Sequence, residues 1–179
     1  EQSEDGEKTI ILDGGVVFKG GKELCRVDDD GATAIFFMND TPSEYSFTVP
    51  LGQNAKPSVM LIGVTRSIKA TEYNGKVKFD VTFSASGKIG SKGGIKEDDK
   101  KAAEKVAEPA ERELKRKIES SMIPIAEKGC DVFGLENTLR RCCNRFYREN
   151  MDRVEEIIAE SEIEVNVNID IFSQGIGGA

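Results

Sequence analysis

An α+β fold, with a mostly antiparallel sheet, one long helix packed on one face and a shorter helix after it, is predicted by three stretches of this sequence. From Asp98 to Lys128 the apolar residues Ala103, Ala107, Ala110, Leu114, Ile118, Met122 and Ile125 recur three or four apart, which gathers them into one stripe of a helix. Val77 to Ala85 and Ile163 to Ile171 instead alternate strictly, which gives each strand one apolar and one wet face. A helix with one apolar side needs a sheet with one apolar face.

The composition narrows the function classes. The 179 residues suffice for one domain with a substantial core, and 38% apolar with 32% charged residues is globular composition. A net charge of −7 argues against nucleic acid, which needs a basic face to displace counterions, and gives no support to direct docking on anionic lipid. No apolar run is long enough to span a bilayer, and Glu1-Gln2-Ser3-Glu4-Asp5 does not resemble a signal peptide. The expectation is a cytosolic protein, or a fragment whose targeting segment has been removed. The sequence has no histidine, so the commonest metal ligand and the usual general base are both missing. Cys25, Cys130, Cys142 and Cys143 have no metal-site spacing and read as small buried hydrophobes, with a Cys130 disulfide to one of the adjacent pair as the alternative in an oxidising compartment. No catalytic, cofactor-binding or metal-ligating residue is assigned, and no cofactor is expected.

In chain order, residues 1–9 read as a disordered segment, 10–172 as a single α+β domain and 173–179 as a flexible tail. Ile10-Ile11-Leu12 and Val16-Val17-Phe18 bracket a turn-prone Asp13-Gly14-Gly15. Lys19-Gly20-Gly21-Lys22 is a second turn before a short strand through Leu24 and Val27. Asp28-Asp29-Asp30-Gly31 lacks the spaced ligands of a calcium loop and reads as a solvated turn. Ala32 to Met38 reads as an apolar strand closed by an Asn39-Asp40 turn. Tyr45 to Val49 and Val59 to Ile68 are further strands, the second with Gly63 as a candidate bulge. Asn74-Gly75 signals a two-residue hairpin into the strand from Val77. The glycines at 87, 90, 93 and 94 read as a flexible hinge and not as a phosphate loop.

In the long helix, Asp98 and Asp99 are candidate caps. Glu108/Arg112, Glu111/Lys115 and Glu113/Lys117 are spaced as ion pairs on a wet face, and Pro109 is expected to kink the helix without breaking it. A second helix is predicted from Leu135 to Tyr147, with Leu135, Leu139, Cys142/Cys143 and Phe146 facing in and Arg140, Arg141, Arg145 and Arg148 forming a basic side. That side reads as a solvated face or as a docking patch for an acidic partner. Asp131 can cap this helix, Phe133 can staple the corner to the core, and Gly134 allows a close approach.

The succession of a long charged helix, Cys130-Asp131-Val132-Phe133-Gly134-Leu135, an arginine-bearing helix and a closing alternating strand resembles the C-terminal domain of Ger(x)C (GerAC-like) spore germination lipoproteins. Gly15-Val16-Val17-Phe18-Lys19 resembles that domain's opening strand, so the likeness spans about Ile10 to Ile171. The chain departs from the family pattern in lacking tryptophan, in ending its last strand with Phe172-Ser173-Gln174, and in carrying Pro109 and Pro124 within the helix. The resemblance implies a non-enzymatic C subunit of a nutrient germinant receptor. It implies an upstream lipid anchor, a place on the outer face of the spore inner membrane, and the integral membrane A and B subunits as partners. An extracytoplasmic module that itself binds a small nutrient is the alternative reading. A hydrolase without histidine would need a carboxylate dyad or a cysteine with another base, and no spacing suggests one.

Overall fold

The computed structural model describes residues 14–52 and 54–172. The predicted N-terminal segment, the strand at Ile10-Ile11-Leu12 and the tail from Ser173 lie outside them. The elements run β1 (Gly15–Lys19), β2 (Lys22–Val27), α1 (Asp29–Asn39), β3 (Glu44–Thr48), β4 (Ser58–Tyr73), β5 (Lys76–Ser91) and α2 (Asp99–Ala126). There follow α3 (Leu135–Cys142), α4 (Asn144–Glu149), a 3-10 turn, α5 (Val154–Ala159) and β6 (Glu162–Ile171). β1 and β2 form a small antiparallel ribbon, and the main sheet has the order β3-β4-β5-β6.

The alternation predicted for β5 and β6 is what joins them. They pair in parallel, Phe79 beside Ile163, Val81 beside Val165 and Phe83 beside Val167, so both apolar sets fall on one face. On the wet face Lys78 bonds Glu164 at 2.5 Å and Asp80 at 3.2 Å, which marks the same register at little energetic gain for exposed charges. The Asn74-Gly75 hairpin connects β4 to β5, with Asn74 at φ 53° and Gly75 at φ 78°. Gly63, at φ 63°, is a bulge, and the β4–β5 register slips between Ile62 and Thr65. The slip changes the parity of β4. Val59 and Leu61 face the core before it, and Val64 and Ala70 face the core after it.

The long helix is continuous through both prolines. Asp98 caps it by accepting from the Lys101 N–H at 3.0 Å. Its stripe is the predicted one with Ala102, Val106 and Ala126 added, while Ala107 is only half-buried. This helix packs along β6 and against α1.

Four expectations need correction. Ala32 to Met38 is not a strand but the body of α1, and the acidic turn before it is the helix start. Asp28 accepts from the Gly31 N–H at 2.9 Å, and Ala34, Phe37 and Met38 fall on one buried face. A short apolar run does not distinguish strand from helix by periodicity, and the cap decides it. The glycine hinge is largely strand, since β5 reaches Ser91. A Cβ on Gly87 would stand 3.0 Å from the Ile169 side chain, so this glycine permits close packing of β6. The helix predicted to reach Tyr147 breaks at Cys143 (φ −125°), which leaves Cys142 exposed and Cys143 half-buried.

The acidic face of α2 is the fourth correction, because it is only partly a solvated face. Glu108–Arg112 forms at 2.9 Å as predicted. Glu111 instead accepts from the Ile169 N–H at 2.8 Å, and Glu119 from the Val165 N–H at 3.3 Å. β6 is an edge strand whose outward N–H groups need acceptors. The spacing matches, since eight helical residues and four strand residues each span about 12–13 Å. Glu113 and Lys117 do not pair with one another. Glu113 bonds Arg116 at 2.8 Å, and Asp30 of α1 takes both Arg116 and Lys117.

Candidate functional site

The corner between α2 and α3 is where the distinctive sequence falls, and its geometry follows from a few local choices. Gly129, at φ 66°, lets the chain leave the helix, and Cys130 turns into the core. Asp131 then caps α3 with both oxygens, accepting from the Leu135 N–H at 2.6 Å and the Glu136 N–H at 2.9 Å. Gly134 occupies the left-handed region (φ 72°, ψ 28°), where a side chain would be strained. Phe133 is 2% exposed and Leu135 fully buried, so the corner is anchored on both sides of that glycine. Asn39, at the end of α1, donates through Nδ2 to the Val132 carbonyl at 2.7 Å and so ties the corner to the first helix. Asp131 and Phe133 have the roles read from the sequence, whereas Gly134 has open space where a Cβ would stand and is required by its left-handed backbone, not by a close approach.

Along α3 and α4 the predicted basic side divides. Arg140 donates to Asn137 Oδ1 and Arg145 to Glu149, each at 2.9 Å, so both spend bonds within their own helices. Arg141 and Arg148 form no ion pair among the described residues. Tyr147 donates its hydroxyl to Glu136 at 2.8 Å, which holds its ionisation above the usual phenolic range. Cys143 donates to the Ala70 carbonyl at 3.5 Å.

All four cysteines are free thiols, and burial pushes the Cys130 and Cys143 ionisations up, opposite to the direction that makes a cysteine nucleophilic. Among the described residues no cluster of acids and cysteines could hold a metal ion, and no helix is long and apolar enough to cross a membrane. The polar side chains that the fold brings together cap helices, close edges and tie elements.

Sequence reading missed Arg66. It lies on β4 with Val64 and Ala70, on the side that packs inward. The signal that could have found it was the bulge at Gly63, which moves even-numbered residues to the inner side.

These features define a class first: a sheet-and-helix module whose distinctive residues build a corner. Within that class, the chain belongs to the family described as spore germination B3/GerAC-like, C-terminal, whose model matches residues 13–175. The family is the one to which the Asp131–Leu135 corner pointed. Among solved structures, the crystal structure of the GerBC protein matches with a TM-score of 0.79 at 16% identity. The match covers 95% of this chain and 54% of that one, so the chain spans about half the length of the solved relative. Comparison with curated proteins gives no match.

Proposed function

We propose that this chain is the C-terminal domain of a germinant-receptor C subunit and that it works by protein–protein contact with the integral membrane A and B subunits, not by catalysis. The observation that carries the reading is the family match over nearly the whole chain. The chemistry is consistent with it, since Asp131 is spent on capping α3 and burial pushes the Cys130 thiol up, away from nucleophilic use. In this reading a lipid anchor upstream holds the protein on the outer face of the spore inner membrane, and no residue described here need enter the bilayer.

The contact surface proposed is the wet side of α3 and α4 around Arg140 and Arg145, a basic strip on an acidic protein that suits an acidic partner loop. The test uses the full-length protein with its membrane subunits. Arg140→Ala/Arg145→Ala is expected to abolish co-purification with the A and B subunits and nutrient-triggered germination, while the protein remains folded. Normal assembly with normal germination would remove this face from the account.

A further inference from the structure

Arg66 stands in a position where its strand calls for an apolar residue. Beyond the Gly63 bulge the inner positions of β4 are Val64, Arg66, Ile68 and Ala70, and Arg66 is paired in register with Phe83, whose ring is 1% exposed. A bulge that re-aims one side chain is a device for placing it. The half-buried guanidinium makes one long hydrogen bond, from Nη1 to the Phe37 carbonyl at 3.4 Å, and no carboxylate answers its charge among the described residues. A partly buried arginine without an anion is an incomplete arrangement.

The space beside it supplies a second such group. A cavity of about 270 Å³ at the corner has Arg66, Arg141, Asn39, Asn137 and Thr138 among its lining, and none of the described residues that line it is acidic. Arg141, exposed at the rim, forms no ion pair among the described residues either. Asn137 gives its Oδ1 to Arg140, which leaves its Nδ2 hydrogens to donate. Asn39 has spent its Nδ2 on the Ile35 and Val132 carbonyls, and Thr138 donates to the Gly134 carbonyl at 3.3 Å. The donors left for the cavity are therefore Arg66, Arg141 and Asn137 Nδ2, two of them cationic, beside the apolar Met38, Ile68 and Phe133, in a protein of net charge −7. Two guanidinium groups lining one small cavity repel each other, and an anion between them reverses the sign of that interaction.

We propose that this cavity binds the oxyanion of a small molecule, a carboxylate or a phosphate, gripped by Arg66 and Arg141 with Asn137 Nδ2 as the third donor. Planar guanidinium forks match both oxyanions bidentately, which a lysine could not do. The volume lies just below the roughly 300 Å³ at which drug-sized sites begin, so it suits a group of a few heavy atoms.

The test is a titration of this chain with inorganic phosphate and, separately, with acetate, against sodium chloride at matched ionic strength, followed by the NMR signals of the Asn137 side-chain amide and the Gly134 backbone amide. One probe is expected to give saturable shifts at both positions, and which one does so identifies the oxyanion. Arg66→Gln and Arg141→Gln are each expected to weaken that binding roughly tenfold or more, the loss of a charge-assisted pair. Asn137→Asp, which puts a carboxylate into the grip without enlarging the cavity, is expected to abolish it. No saturable response to either probe, or equal binding by the wild type and both glutamine variants, would overturn the proposal. The readout does not involve the membrane subunits, so its failure is separate from failure of the contact reading.

Discussion

Replacing Phe133 by alanine tests whether the corner is a structural joint. The ring is 2% exposed and is held between residues that cannot follow it into the space it would leave. Asp131 is fixed by its bonds to the Leu135 and Glu136 N–H groups, and Val132 by its bond from Asn39. Leu135 is already fully buried. A site that cannot collapse retains most of its cavity, so the cost should fall in the upper part of the roughly 3–5 kcal/mol seen for phenylalanine truncation. For a chain of this size that corresponds to a fall in Tm of roughly 8–20 °C. Phe133→Leu, which keeps much of the volume, should lose less than half as much. Circular dichroism melts of the three proteins measure both. A Phe133→Ala protein that melts within about 2 °C of the wild type, a shift worth about 1 kcal/mol at most, would refute the reading of the corner as a core joint.

Glu111→Ala/Glu119→Ala removes the acceptors that close the β6 edge and should cost about 1–3 kcal/mol in total, since both sites are partly wet. The freed edge should also raise self-association on sedimentation, and an unchanged monomer with an unchanged melt would contradict the capping role. Gly63 has φ 63° and open space around the position of a Cβ, so Gly63→Ala should cost only the conformational roughly 1–2 kcal/mol, and Gly63→Asn less. Gly93→Ala should cost clearly more, because its Cβ would stand 2.0 Å from the Lys56 carbonyl oxygen; equal losses at the two glycines in denaturant titrations would undo this distinction. Burial pushes the Asp30 carboxyl up, but the hydrogen bonds and charges of Lys117 and Arg116 outweigh it and hold the group below the usual carboxylate range. A depressed folded-state value contributes stability above the unfolded value and loses it as pH falls through the folded one. The wild type should therefore lose more stability than Asp30→Asn between about pH 4 and pH 2, and parallel pH profiles would remove the Asp30 bridge from the account.

Local chemistry in the sequence determined much of this protein. The stripe from Ala103 to Ile125, the alternation of β5 and β6, the Asn74-Gly75 turn and the capping aspartates at 98 and 131 each depend on neighbours within a few residues, so they are legible without knowing what lies opposite. The corner also carried the family. At Ala32 to Met38 the local Asp28 cap starts the helix, and tertiary structure adds the packing of Phe37 edge-on against Phe83 that fixes its buried face. Tertiary structure alone decided that Glu111 leaves its expected partner Lys115 for the Ile169 N–H, more than fifty positions away, and that Glu119 takes both Lys115 and the Val165 N–H, because a partly wet strand edge needs acceptors. It also decided that Arg66 lies on the inner side of β4 and lines one cavity with Arg141. That placement depends on the parity of a strand beyond a bulge, and parity is a property of pairing, which one strand's sequence does not contain.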